Sequence, residues 1–211
     1  LLHYPYFQLY RSQVVKQADL VMAMYTRGDA FTPEEKARNF AYYEGLTVRD
    51  SSLSACVQAV MAAEVGHLQL AYDYLGEAAL MDLDDLEHNT RDGVHIASLA
   101  GTWTAIVAGL GGLRDHDETL AFAPRMPEAI DRFAFRLCFR GRRLRVEVQG
   151  DQATYLLRDG EDLEVLHHGE PVTLTAGEAV SLALPPVTPG PTPGQPAGRV
   201  PVRRVPAPFV R

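Results

Sequence analysis

This sequence of 211 residues has only two cysteines, Cys56 and Cys138, and it has no uninterrupted apolar stretch of membrane-spanning length. One cysteine lies in a helical pattern and the other in a strand pattern, so they indicate neither a disulfide framework nor a zinc site. We therefore expect a reducing, cytoplasmic setting and no membrane partner. The first residues, 1–5, resemble no signal peptide and lack an initiator methionine, which indicates a fragment of a longer chain.

The sequence also lacks an excess of positive charge: its formal net charge is −7, and no segment is rich in lysine. Nucleic acids are bound by clustered lysine and arginine side chains, so we do not expect a nucleic-acid partner. The arginines between residues 136 and 145 alternate with apolar residues, which is typical of the solvated face of a β-hairpin. Apolar residues make up 46% of the chain, enough to predict a folded core.

Apolar residues recur at helical spacing from about Tyr10 to Leu110. The spacing predicts one first helix through Val14 to Met22, with Lys16 and Gln17 near its middle. A second helix is predicted to begin at Thr32, because a threonine cap, a following proline and a glutamate three residues later form a start signal. Three more helices are predicted over about residues 50–66, 67–81 and 94–110.

The last predicted helix, opened by Gly93, carries Ile96, Leu99 and Trp103 around much of its surface. Apolar residues on all sides of a helix are typical of a buried helix, so we expect this one to be deeply buried.

Beyond Asp117 the apolar period changes from helical to two, as in Phe133 to Phe139 and Leu144 to Val148. Shorter strand patterns follow over residues 155–158, 164–167, 172–175 and 179–184. The fold class predicted is therefore α+β, with a helical part over residues 1–115 and a small antiparallel β-sandwich over residues 119–185. Residues 186–211 are rich in proline, glycine and arginine, and we expect a linker or tail that contributes little buried area.

Polar side chains gather where the predicted helices begin or end, at Lys16-Gln17, Glu44, Asp50-Ser51-Ser52 and His95. Free N–H groups at helix N-termini bind anions, and lysine and glutamine side chains suit sugar hydroxyls. Taken singly, each string has a simpler interpretation: a solvated helix face, an ordinary helix cap or a core histidine. The sequence alone does not decide between these interpretations.

In this order, the strings resemble the pattern of glycoside hydrolase family 65, which includes maltose, trehalose and kojibiose phosphorylases. The matching strings, over about residues 1–185, are Lys16-Gln17-Ala18-Asp19, Tyr42-Tyr43-Glu44, Asp50-Ser51-Ser52-Leu53-Ser54, Asn89-Thr90, Gly93-Val94-His95 and Gly101-Thr102-Trp103. The resemblance implies that residues 1–115 are the last part of an (α/α)6 barrel and that residues 119–185 are the C-terminal β-sandwich.

The resemblance further implies an inverting phosphorylase, in which inorganic phosphate is the co-substrate and no other cofactor or metal is needed. The implied phosphate ligands are Ser51, Ser52 and His95. The implied ligands of the glucosyl unit of the disaccharide are Lys16, Gln17 and Glu44. The general-acid glutamate is implied to lie before Leu1, so we expect this chain alone to be inactive.

One departure leaves alternatives open, because Arg49 stands where many of these phosphorylases have a histidine. A related hydrolase would need a carboxylate to activate water, and the local candidates are Asp50, Asp92 and Glu44. A non-catalytic carbohydrate-binding fragment is the other alternative. The resemblance is compatible with a homodimer, and the tail is either a link to a fused phosphatase-like domain or a disordered terminus. These alternatives stay open, as does the identity of the disaccharide.

Overall fold

The computed structural model describes residues 4–205, the side chain of Asp117 excepted, and consists of two units. The first unit combines the chain up to Ile106 with Thr188–Arg204, and the second comprises Val107–Val187. The division between these units falls after Ile106, and the predicted domain boundary near residue 115 stays a prediction. Residues 206–211 of the predicted tail lie outside the described residues.

Among the described residues, the first unit contains helices α1 Tyr6–Leu9, α2 Asp19–Thr26, α3 Pro33–Glu44, α4 Ser54–Glu64, α5 Leu68–Ala79 and α6 Ile96–Thr104. Helices α3 and α5 agree well with the predicted ranges. In the part of the chain that the structure describes, no helix combines the length and the apolarity that a bilayer crossing requires.

The predicted single first helix is wrong, because residues 10–18 separate α1 from α2. Val15 instead forms a parallel bridge with Thr47, and its N–H donates to the Leu46 carbonyl at 2.9 Å. Valine is common in strands as well as on helix faces, so the apolar spacing at Val14 and Val15 does not distinguish a helix from an extended segment. Lys16 and Gln17 consequently lie in the segment before α2 rather than in the middle of a helix.

Helix α3 begins as predicted, because the Thr32 hydroxyl accepts from the Glu35 N–H at 3.2 Å and Glu35 accepts from the Thr32 N–H at 2.9 Å. The predicted cap of α4 is wrong. This helix begins at Ser54 behind Leu53, and no side chain caps it.

Helix α6 is not deeply buried in this chain, since Ile96, Leu99 and Trp103 are 65%, 45% and 55% exposed. Its packed side is polar and small: the Ser98 hydroxyl donates to the Ala78 carbonyl at 3.1 Å, and Gly101 is buried. Apolar residues around a helix show that several sides can be covered, but they do not show which sides have a partner within the chain.

The second unit contains strands β1 Leu120–Phe122, β2 Arg132–Phe139, β3 Arg142–Gln149, β4 Gln152–Asp159, β5 Leu163–His167, β6 Glu170–Leu174 and β7 Ala179–Ala183. They form a sheet in the order β1-β5-β6 and a sheet in the order β2-β3-β4-β7. Side chains from both sheets, including Val146, Tyr155 and Val165, form one buried core, as predicted for a sandwich. The short strand β1 was not predicted, and it pairs with β5 in parallel, so the sandwich is not wholly antiparallel.

Residues 188–204, which we call the strap, pack against the first unit, so the prediction of an unpacked tail is wrong for this segment. The Gly190 N–H donates to the Val65 carbonyl at 2.9 Å, and the Arg204 N–H donates to Asp73 at 2.8 Å. A proline-rich segment has no repeating hydrogen bonds of its own. Here the helices provide its partners, which no local sequence pattern predicts.

We expect truncation of the chain after Val187 to lower the melting temperature of the helical unit by more than about 5 °C, near 1 kcal/mol for a domain of this size. The physical reason is the loss of the strap's hydrogen bonds to the helices. Calorimetry of this variant beside a control truncated after Val205, which keeps the strap, measures the effect. Equal melting temperatures for the two variants would show that the strap contributes nothing.

Candidate functional site

The starts of α4 and α6 lie at the same end of the helical unit as the end of α5. Helices α4 and α5 form a tight hairpin, so the first residues of α4 face the last residues of α5. The hydrogen bond from Ser98 to Ala78 places the start of α6 beside the end of α5. Gly101 brings α6 close to α4, because a Cβ at Gly101 would lie 2.6 Å from the Cys56 sulfur. The two predicted anion-binding helix starts therefore lie at the same end of the helical unit.

The segment before α2 joins the same end through backbone contacts. The Asp50 N–H donates to the Lys16 carbonyl at 3.0 Å, and the Ala18 N–H donates to the buried Ser54 hydroxyl at 3.3 Å. The Gln17 side chain donates to Asp19 at 2.9 Å. The structure thus brings Lys16 and Gln17 beside the loop that precedes α4, although 30 or more residues separate them in sequence.

The loop itself, residues 50–52, carries two partly exposed serines. The Ser51 hydroxyl accepts from the Leu53 N–H at 3.3 Å, which orders the turn into α4. A hydroxyl has one donor and two acceptor positions, so Ser51 keeps its donor for a ligand while making this bond. The loop therefore offers hydroxyl donors beside a helix N-terminus.

His95 lies immediately before α6 and is held by Asp82, which sequence analysis missed. The His95 Nδ1 lies 2.6 Å from one carboxylate oxygen of Asp82, and the His95 backbone N–H donates to the other at 2.9 Å. A ring with Nδ1–H bound to a carboxylate presents Nε2 to a ligand. The hydrogen bond from His95 holds the pKa of Asp82 below its ordinary value. Asp82 lies in an acidic stretch 13 residues before His95, and no spacing rule singles it out.

Glu44, a predicted sugar ligand, is 1% exposed and already bonded. Its carboxylate accepts from Gln58 at 2.7 Å, from the Tyr74 hydroxyl, and from Gln195 of the strap at 2.8 Å. Burial, followed by the charge of Glu44, raises the pKa of the Tyr74 phenol. The carboxylate therefore connects α3 with α4, α5 and the strap. Its contact with a sugar stays a prediction.

Arg49 is bound to residues of α5 and of the strap. Its Nη1 lies 2.8 Å from a Glu77 oxygen, its guanidinium lies 4.9 Å from the centre of the Tyr74 ring, and it also donates to the Arg199 carbonyl. Arg49 is buried and has a φ of 57°, a left-handed conformation that costs free energy in a residue other than glycine. This position therefore ties the loop to α5 and the strap.

Cavities are also present among the described residues. One of about 180 Å³ is lined by residues of α5 and the strap, among them Glu77 and Arg199. Another of about 670 Å³ lies in the second unit beside Arg136, Arg143 and Arg158. The six predicted ligands, all within the described residues, line neither cavity. Within residues 4–205, no group of three histidine, cysteine or acidic side chains is placed to hold a metal ion.

Two models of one family match consecutive parts of the chain. The glycosyl hydrolase family 65 central catalytic domain matches residues 1–104, and the family's C-terminal domain matches residues 113–174. The chain belongs to glycosyl hydrolase family 65. This confirms the resemblance drawn from the motifs, and the two matched parts correspond to the helical part and the sandwich.

The chain is similar to family 65 proteins whose activity is named and to others whose activity is uncharacterised. An uncharacterised glycosyl hydrolase of Mycobacterium leprae is 56% identical over 96% of the chain and 26% of its own length. The α,α-trehalose phosphorylase of Thermoanaerobacter brockii is 38% identical over 84% of the chain and 23% of its own length. The maltose phosphorylase of Bacillus subtilis is 41% identical over 79% of the chain and 22% of its own length. The chain thus spans about a quarter of the length of these curated relatives.

A solved structure, provisionally named kojibiose phosphorylase and from the human microbiome, superposes with a TM-score of 0.80 and 29% identity. The match covers 86% of this chain and 24% of the other. The Mycobacterium relative matches almost the whole chain, so the strap, which the motif pattern left out, has a counterpart at least there.

We expect the Asp82 carboxyl to titrate below its ordinary value of 3.8 and to move up toward that value in His95→Ala, because the mutation removes the donor that stabilises the charged form. Carboxyl carbon chemical shifts followed by NMR from pH 2 to 6 measure the change. His88→Ala is the matched control and should leave the Asp82 titration unchanged. A titration of Asp82 that is identical in His95→Ala would contradict the pairing.

Proposed function

We propose that this chain is the C-terminal portion of an inverting phosphorylase that cleaves an α-glucosidic disaccharide with inorganic phosphate. The observation that carries the proposal is that the loop 50–52 and His95 lie at the same end of α4, α5 and α6. The characterised relatives, a trehalose and a maltose phosphorylase among them, support the same reaction class. Under this proposal the helices up to residue 106 form the last part of an (α/α)6 barrel.

The chemistry of the site suits an anionic nucleophile. Phosphate already carries the negative charge that water acquires only when a base removes its proton, so the attack needs hydrogen-bond donors rather than a second carboxylate. We assign this role to Ser51, Ser52 and His95, whose Nε2 donates when the ring is protonated, with the N-termini of α4 and α6 contributing their positive ends. The acid that protonates the leaving oxygen is proposed to lie in a preceding part of the polypeptide.

Lys16 and Gln17 are proposed to bind the hydroxyls of the glucosyl unit, because they lie beside the phosphate loop and carry donors and an acceptor. Glu44 belongs to the proposed set as well. Its contact with a sugar requires that Gln195, which donates to the same carboxylate, be displaced.

Hydrolysis is the second candidate reaction, and the state of the local carboxylates argues against it. Asp50 is paired with Arg199 at 2.7 Å, and Glu44 is bonded by three donors. Asp92 has a side chain that is 73% exposed and lies 3.8 Å from Arg91, so it lies in solvent rather than in an enclosed site. The match to the central catalytic domain favours an enzyme over a binding-only fragment.

The proposal keeps the cytoplasmic setting, consistent with free thiols at Cys56 and Cys138. A homodimer and a fused phosphatase-like domain stay predictions, as does the identity of the disaccharide.

In the full-length polypeptide that contains this chain, we expect His95→Ala to raise the phosphate KM by about tenfold or more, because a hydrogen bond to a charged group is worth roughly 1.5–3 kcal/mol. The disaccharide KM should change much less. Steady-state release of glucose 1-phosphate, measured against phosphate and against disaccharide in turn, separates the two. His88→Ala serves as the control, and an unchanged phosphate dependence in His95→Ala would rule out the assignment.

We expect Gln17→Ala to weaken use of the disaccharide and leave the phosphate KM nearly unchanged, because the amide is proposed to orient sugar hydroxyls and not to transfer a proton. Gln13→Ala, which alters the same residue type on an exposed side chain four positions earlier, is the control. Wild-type kcat and KM for the disaccharide in Gln17→Ala would refute the role of Gln17.

A further inference from the structure

We propose that the strap is a working part of the phosphate site and that Arg199 is a positioning residue for the loop 50–52. The inference rests on the proposed function, since it assigns the strap a role in the same site. It extends that function to a segment beyond both family domains, which end at residues 104 and 174.

Arg199 contacts the loop at its first residue. The Arg199 Nη2 donates to an Asp50 carboxylate oxygen at 2.7 Å, and the Asp50 side chain is only 14% exposed. On its other side, the Asp50 N–H donates to the Lys16 carbonyl at 3.0 Å. The loop that carries Ser51 and Ser52 is therefore held between the segment before α2 and the strap.

The position of Arg199 is itself fixed by the residue that precedes Asp50. Arg49 donates to the Arg199 carbonyl, and Glu77 and the Tyr74 ring hold the Arg49 guanidinium in place. The Arg199 N–H donates to the Pro196 carbonyl at 3.0 Å, which closes a turn in the strap. Consecutive residues 49 and 50 thus bind the backbone and the side chain of the same arginine.

The contact has an electrostatic consequence for an anionic ligand. Asp50 places a negative charge directly before the serines that are proposed to bind phosphate, and like charges repel strongly when partly shielded from water. The Arg199 guanidinium, which keeps its charge at any working pH, offsets that carboxylate. Removing Arg199 therefore takes one hydrogen bond and one positive charge away from Asp50 beside the phosphate.

The strap also carries a matched control. Arg203 pairs with Asp73 of α5 at 3.6 Å and is 67% exposed, so it makes an ion pair from the same segment without touching the loop. Substitution at Arg203 tests what the loss of any strap arginine does, and substitution at Arg199 tests the contact with the loop.

The experiment compares Arg199→Ala, Arg199→Lys, Arg203→Ala and the double variant Arg199→Ala/Asp50→Asn in the full-length polypeptide. Phosphate KM and disaccharide KM are measured separately, and hydrogen exchange of residues 46–53 is followed by mass spectrometry. We expect Arg199→Ala to raise the phosphate KM by about tenfold, the scale of one charge-assisted hydrogen bond, and to speed exchange in the loop. Arg199→Lys should retain much of the wild-type phosphate KM, Arg203→Ala should match wild type, and the double variant should recover part of the loss.

An Arg199→Ala enzyme with wild-type phosphate KM overturns the inference, as does a loss of the same size in Arg203→Ala. No recovery in the double variant overturns the electrostatic role of Arg199. If the wild-type polypeptide cleaves its disaccharide without any dependence on phosphate, the proposed function fails. Hydrogen exchange of the loop then still tests whether Arg199 positions it. Faster exchange in Arg199→Ala, but not in Arg203→Ala, supports the positioning role, and unchanged exchange refutes it.

Discussion

The buried carboxylate of Glu44 is the constraint on which the helical unit depends. Burying a charge without partners costs several kcal/mol, so the structure must bring donors to it. Gln58 of α4, Tyr74 of α5 and Gln195 of the strap provide them at the end of α3. Because one of these donors comes from the strap, the carboxylate also holds part of a segment rich in proline and glycine against the helices.

The same arrangement orders the candidate site. Arg49 stacks on the Tyr74 ring that bonds Glu44, and Arg49 is followed at once by the loop 50–52. The loop, the segment at Lys16 and His95 come from three distant parts of the sequence. The packing of α4, α5 and α6 places them at the same end of the helical unit, so the placement of the candidate residues follows from how the helices pack.

The sequence predicted correctly those elements that depend on interactions between residues close together in the chain. The capping pattern at Thr32 and the alternation from Phe133 to Val148 both correspond to elements in the structure, since each depends only on neighbouring residues. The break between α1 and α2 was missed because Val15 pairs with Thr47, a partner 32 residues away. Asp82 and the strap were missed for the same reason: their partners are distant, and no spacing in the sequence encodes them.

The phosphate site is tested most directly by a crystal structure of the full-length polypeptide grown with inorganic phosphate. We expect one phosphate ion within hydrogen-bond distance of the Ser51 and Ser52 hydroxyls and of the His95 Nε2, with Asp82 still bound to Nδ1. A phosphate ion bound at other residues of an enzyme that consumes phosphate would contradict the assignment of this site.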